Sequence, residues 1–137
     1  MKKKGILLTI LTSIILSSCA CKKTAGNQTA SLYGEWLIET AMDKSTDGGE
    51  QEATITFDTD GKINGCATVN RFFGGYTHKG DSLSFSAIGM TRMMGRTMDK
   101  EAAITQALAE ASNIKIKGNT AIIMGKDKKT VMVLKRK

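Results

Sequence analysis

The chain has 137 residues, 41% of them hydrophobic, with no proline, three cysteines, one histidine and a formal net charge of +7. That length supplies one domain with a modest core, and the lone His78 excludes metal sites and His-dependent nucleophile pairs that need a second imidazole. The basic excess is carried partly by the first few residues and does not by itself point to nucleic acid.

The chain opens Met1-Lys2-Lys3-Lys4 and is then apolar from Ile6 to Leu16, broken only by Thr9, Thr12 and Ser13. Eleven residues are about half of the roughly 20 needed to span a bilayer as a helix, so residues 1–18 read as an export leader and not as a membrane span. Leu16-Ser17-Ser18-Cys19 resembles the bacterial lipobox, in which small residues fit the signal peptidase and the cysteine takes a diacylglycerol and further chains such as palmitate. Cys19 is the predicted lipidation site; Cys21, preceded by Ala20 and with Ser18 three before it, fits less well. Each buried methylene is worth about 0.8 kcal/mol, so a multiply acylated cysteine holds a protein at a membrane almost permanently. Removing the leader takes three of the twenty basic residues with it and lowers the formal charge from +7 to about +4. Residues 19–31 (CACKKTAGNQTAS) are small, polar and aperiodic, which predicts a flexible tether ahead of a domain over 32–137. No acidic run follows Cys19, so the expected address in a two-membraned cell is the outer membrane, facing the periplasm.

Within the domain, Glu35 to Ala41 predicts a strand with Trp36 and Ile38 on one face, and Met42 to Glu52 is a polar loop without period. Ala53 to Phe57 alternates, Asp58-Thr59-Asp60-Gly61 supplies a turn and Lys62 to Gly65 returns, which makes a hairpin. The same turn resembles part of a calcium loop, but the Glu such a loop needs six positions past its glycine is Ala67. Gly65 to Gly80 is a glycine-rich loop in which glycines permit positive φ or close approach of another backbone, Asn70 can bond its own loop, and Tyr76 can reach a carbonyl. Tyr76–Lys79 and Ser82–Ile88 flank Lys79-Gly80-Asp81 as a second hairpin.

From Met98 to Asn113 the period changes. Ala103, Ile104, Ala107, Leu108 and Ala111 recur at three and four, and Asp99 and Glu101 sit at the positive end of the dipole, so this segment is a helix. NIKIKG, NTAIIMG and KTVMVLKRK then predict three strands. About eight strands and one helix point to the α+β class: a strongly bent antiparallel β-sheet or partial barrel with one packed α-helix. Its expected core is Trp36, Ile38, Ile55, Phe57, Phe85, Ile104, Leu108, Ile114, Ile116, Ile122, Val131 and Val133.

Lys115 to Lys137 carries eight basic residues against Asp127 alone. Such a patch attracts anionic lipid or nucleic acid, but lysines alternating with apolar residues along strands are the ordinary solvated face, and no nucleic-acid-binding module is present. With Cys19 acylated, Cys21 and Cys66 remain as thiols; a bridge between them would tie the tether to the domain and is not expected, and Cys66 reads as a small buried hydrophobe.

Five motifs occur in order: Gly34-x-Trp36; Ile55-x-Phe57-Asp58 followed by Ile63-x-Gly65; Asn70-Arg71-Phe72-x-Gly74-x-Tyr76; Met90-Thr91-Arg92-Met93; and Glu101 leading into a helix with Ala107-Leu108. As a gapped set over Leu32 to Lys135 they resemble the META/HslJ family of small bacterial envelope and lipoprotein domains. The resemblance implies a β-rich fold with a helix inserted after the Thr-Arg-Met segment, and an association with heat shock and antibiotic tolerance. Many members carry a cysteine just before the Asn and another two residues beyond the Met; here those positions are Val69 and Gly95. Joint absence is what a bridged pair in those members would leave.

For catalysis the sequence offers little: no second histidine, no acid pair with a reason to face its mate, no phosphate-binding glycine motif. No metal and no cofactor is expected. The leading expectation is a non-enzymatic envelope lipoprotein, held at the membrane through Cys19, that binds a protein or lipid partner. The alternative is a module for a small apolar or anionic ligand. Asn70, Arg71, Gly74, Tyr76, Thr91 and Arg92 are the candidate binding or loop-docking residues, and an open pocket against a filled sheet separates the two readings.

Overall fold

The computed structural model describes residues 31–137; the leader, Cys19, Cys21 and all but the last residue of the tether lie outside them. Every strand pairing is antiparallel. Strand β1 (Gly34–Ala41) is followed by β2 (Lys44–Ser45), β3 (Thr54–Phe57), β4 (Lys62–Cys66), β5 (Arg71–Lys79) and β6 (Ser82–Met90). Helix α1 (Met98–Glu110) intervenes before β7 (Asn113–Lys117), β8 (Thr120–Met124) and β9 (Thr130–Arg136). β1, β3, β4 and onward pair in chain order, and β9 returns to pair with β1, so eight strands close into a barrel. The bent sheet therefore has no free long edge, which removes the template for edge-to-edge aggregation.

The ninth strand, β2, falls inside the segment expected to be loop. It pairs with the end of β1, Thr40 opposite Ser45 and Ala41 opposite Lys44. Met42 and Asp43 between them both take positive φ, 47° and 63°, the geometry of a type I′ hairpin turn without the Asn-Gly that normally announces one. The Thr46 hydroxyl anchors the return by donating to the carbonyls of Ile38 and Glu39. The hairpin over Asp58 to Gly61 forms as expected: Asp58 N–H donates to Lys62 O at 2.9 Å, and Gly61 takes φ 79°.

The glycine-rich stretch is strand and not loop for most of its length. Residues 62–66 of β4 pair with residues 71–75 of β5, and only Ala67 to Asn70 connect them. Its glycines serve close approach: a Cβ on Gly65 would lie 2.1 Å from Thr54 O and 2.6 Å from Phe72 Cζ, and one on Gly74 would lie 2.7 Å from Ile88 Cδ1. Gly74 sits where the β5–β6 register shifts, between Phe73 and Gly75.

The barrel interior is filled by its own side chains. Trp36, Ile38, Ile55, Phe57, Ile63, Phe72, Leu83, Ile123, Met132 and Leu134 are essentially sealed from solvent. Arg136 stacks over the Trp36 ring at 4.1 Å, and Trp36 Nε1–H donates to Leu32 O at 2.8 Å. Four of the expected core residues, Phe85, Ile116, Ile122 and Val133, are only half-buried. On β8 and β9 the inward residues are Ala121, Ile123, Met132 and Leu134. TAIIM and TVMVL are apolar on both faces, so alternation alone does not fix their phase, and the β8–β9 register shifts between Ile123 and Met124.

α1 packs on β1, β2 and β9 through Ala103, Ile104, Ala107 and Leu108. It stops three residues short of the expected Asn113, which begins β7. Cys66 is buried at the end of β4, with its Sγ 3.6 Å from Gln51 Oε1.

Four of the eight basic C-terminal residues have local partners, Lys129 among them through Asp127. Arg136 also donates to the Tyr33 and Ser31 carbonyls, Lys137 pairs with Glu35 and Glu52, and Lys128 donates to Asn113 Oδ1. Among the described residues no helix is long and apolar enough to cross a membrane.

Candidate functional site

The tight connection from β4 to β5 creates the site. Thr68 is forced to φ 76°, and Ala67 N–H donates to Asn70 O at 2.8 Å, which turns the Asn70 side chain inward, where it is 1% exposed. A buried amide needs partners for two donors and an acceptor. Asn70 Nδ2 donates to Met93 O and to Glu101 Oε1, both at 2.9 Å, while Oδ1 accepts from Met93 N–H at 2.7 Å and from the Thr91 hydroxyl at 2.9 Å. Asn70 N–H donates to Glu101 Oε2 at 2.8 Å.

One side chain thus joins three segments: the β4–β5 connection, the arm of residues 91–97 and the first turn of α1. Further contacts fasten the arm along its length. Thr91 N–H donates to Arg71 O and its hydroxyl accepts from Arg71 N–H; Arg96 N–H donates to Glu50 Oε1; and the Thr68 and Thr97 hydroxyls meet at 3.1 Å. The outer face of this arm is left to solvent, with Arg71, Arg92, Met93 and Met94 exposed. Beside it lies a hollow of about 400 Å³ lined by Met90, Met93, Met94 and Met98 together with Asn70, Thr91, Arg92 and Glu101.

Four of the six candidate residues, Asn70, Arg71, Thr91 and Arg92, meet here. Gly74 does not; it belongs to the barrel wall. Tyr76 is five residues along β5 from Arg71, roughly 17 Å at strand spacing. There it serves the Asp58–Gly61 turn: its hydroxyl donates to Asp58 O at 2.6 Å and its ring meets Phe57 edge-on at 5.1 Å. Burial above all, with Tyr33, Asp58 and Asp60 nearby, raises the Tyr76 pKa above the usual tyrosine value. A folded-state pKa above the unfolded one means the contribution is intact below about pH 10 and lost as pH rises through the folded value. In a titration followed by phenolate absorbance, one tyrosine is expected to ionise late, and Tyr76→Phe to remove that component.

Sequence reasoning placed Glu101 at the helix dipole and in the family motif set but did not count it as a site residue. A signal existed: 101, 104 and 108 share one helical face, so the carboxylate lies on the buried stripe with Ile104 and Leu108. It also missed Glu50 and the methionines of the arm.

The pair Val69 and Gly95 is brought into direct contact, since a Cβ on Gly95 would lie 2.7 Å from Val69 Cγ1 and 2.8 Å from Cγ2. The doubly substituted Val69→Cys/Gly95→Cys chain is expected to oxidise to a disulfide and to gain about 3 kcal/mol over its reduced form by closing the loop between them. Urea unfolding with and without reductant checks this; two titratable thiols remaining at these positions after oxidation would contradict it.

Among known proteins, the family model of the META domain matches residues 27–137. A protein solved by NMR is 22% identical with a TM-score of 0.60, covering 75% of this chain and 88% of its own. An NMR structure from Burkholderia xenovorans is 23% identical at a TM-score of 0.58, covering 76% and 81%. A crystal structure of a DUF4847 family protein from Bacteroides vulgatus is 16% identical at 0.56, covering 76% and 92%. These likenesses concern the fold. No curated protein matches.

Proposed function

The chain belongs to the META domain family, and from that footing we propose that it is an envelope lipoprotein, anchored through Cys19, whose domain acts by binding and not by catalysis in stress response or envelope upkeep. The observation that carries the binding role is the arm itself. A fully bonded, buried Asn70 holds from below a segment whose upper face exposes Arg92, Met93 and Met94, with Arg71 beside it. Fixing a surface before contact lowers the entropy cost of docking. Trp36, Phe57 and Phe72 occupy the barrel interior, which leaves the outer face of the arm as the surface a partner would meet. The two arginines suit an acidic protein segment or an anionic lipid headgroup.

Two experiments test this. Labelling cells with a palmitate analogue is expected to mark the wild-type chain and bring it down with membranes, while Cys19→Ala is unmarked and soluble; an unmarked wild-type chain would overturn the anchor. A photo-crosslinker at position 94 is expected to give discrete adducts that Arg71→Ala/Arg92→Ala abolishes, whereas one at position 117 gives none. Equal adducts from both positions would remove the arm from the account.

A second reading, a module for a small apolar or anionic ligand, is favoured by the hollow beside the arm. Its volume of about 400 Å³ falls within the usual range for ligand sites.

A further inference from the structure

Four of the chain's eight methionines, Met90, Met93, Met94 and Met98, fall within nine residues. All four line the hollow beside the arm, and every apolar side chain in that lining is a methionine. Packing does not account for the group. Met90 touches the edge of the core, but Met93 and Met94 are 56% and 88% exposed and, with Met98, take no part in the core cluster. An ordinary apolar groove draws on Leu, Ile, Val and Phe as well; here the shared property is the thioether sulfur.

Thioethers are neutral, soft ligands that favour Cu(I) and related d¹⁰ ions over hard cations, and three rotatable bonds let methionine sulfurs converge on one point. The lining also holds the Glu101 carboxylate, 6% exposed and bonded through both oxygens to Asn70, and the exposed Arg92, so the two charges offset and the thioethers carry the binding. We propose that this hollow binds a single soft monovalent cation, Cu(I) or Ag(I), through the thioethers of Met93, Met94 and Met98, with Met90 available as a further ligand. Binding is coordination alone: the ion enters and leaves as the monocation and no electron is transferred. The proposal shares with the second reading only that the hollow is a ligand site; in place of an apolar or anionic ligand it puts a soft cation.

The test uses the full acylated chain in nanodiscs with Cys21→Ala and Cys66→Ala, so that no free thiol competes, and with methionine methyls labelled. One equivalent of Ag(I) is expected to shift the methyl resonances of Met90, Met93, Met94 and Met98 and to leave those of Met42, Met124 and Met132 in place. Under anaerobic ascorbate, competition with a chromophoric Cu(I) chelator is expected to give one ion per chain, bound at least about tenfold more weakly in Met93→Leu/Met94→Leu. Leucine keeps the bulk and apolarity and removes only sulfur, so an apolar docking face would survive the change; far-UV circular dichroism checks that the fold does. Unmoved methyls, or a leucine variant with undiminished affinity, would overturn the proposal. Benzenesulfonate separates the two levels. If it shifts the Met93 and Met94 methyls while Ag(I) does not, the metal assignment falls and the hollow remains a ligand site. If neither ligand shifts them, both readings fall.

Discussion

Gly65→Ala is expected to cost more than about 4 kcal/mol and to leave little folded protein. The reason is steric and local. The added carbon would sit 2.1 Å from Thr54 O and 2.6 Å from Phe72 Cζ, and neither can retreat. Thr54 belongs to β3, paired with β4 from Thr54–Cys66 to Phe57–Ile63, and Phe72 is 1% exposed in the barrel interior. Moving β3 outward would break the ladder on one side; moving the ring would displace close-packed core. Gly118→Ala provides the contrast. Gly118 takes φ 58° at a turn with nothing within 4 Å of the added carbon, so only the left-handed backbone is penalised, by about 1 kcal/mol. Urea unfolding of both variants distinguishes collision from backbone preference; a Gly65→Ala chain that unfolds near the wild-type midpoint would refute the packing described for β3, β4 and β5.

Asn70→Ala carries the second-largest expected loss, about 3 kcal/mol or more. It removes four side-chain hydrogen bonds and leaves Met93 N–H, Met93 O and one Glu101 oxygen to find new partners beside a barrel wall. Asn70→Asp preserves the shape and is expected to cost at least as much at neutral pH. Its second oxygen would replace the Nδ2 donor and face Glu101 Oε1 and Met93 O, turning two attractions into repulsions. Equal, small losses in both variants would mean that water substitutes for the amide and that the arm holds without it. Thr91→Val, which removes a single bond to Asn70 Oδ1 and the acceptor for Arg71 N–H, is expected to cost only about 1 kcal/mol.

The parts of the fold written in period and turn chemistry were legible. Ile55 and Phe57 alternate, Asp58 to Gly61 turns, and Ile104, Ala107 and Leu108 mark the helix. What escaped was set by geometry between segments. Barrel closure depends on β9 finding β1, a pairing of residues about a hundred positions apart that local pattern does not encode. Met42-Asp43 makes a hairpin turn without turn residues, and the double-sided apolar run of β8 conceals which face is inward. The site shows the same division. Asn70 stood out as a polar residue in a glycine-rich stretch and Thr91 as part of the Met-Thr-Arg-Met motif, and a docking of the two connections was foreseeable from them. Glu101 was masked by a competing explanation at the helix start. Met90 and Met93 entered only as parts of a motif, and nothing in local pattern shows that they share a hollow with Met94 and Met98.

Asn70 and Glu101 clamp the arm to the barrel, and the proposed binding role requires that this clamp make it rigid. Amide hydrogen exchange reads this directly. The Met93 and Asn70 N–H groups, bonded to Asn70 Oδ1 and Glu101 Oε2, are expected to exchange as slowly as barrel amides such as that of Ile55, and Glu101→Ala to accelerate both while Ile55 stays slow. Met93 and Asn70 amides that exchange in the wild-type chain as fast as that of Gly48, in an exposed turn, would contradict it.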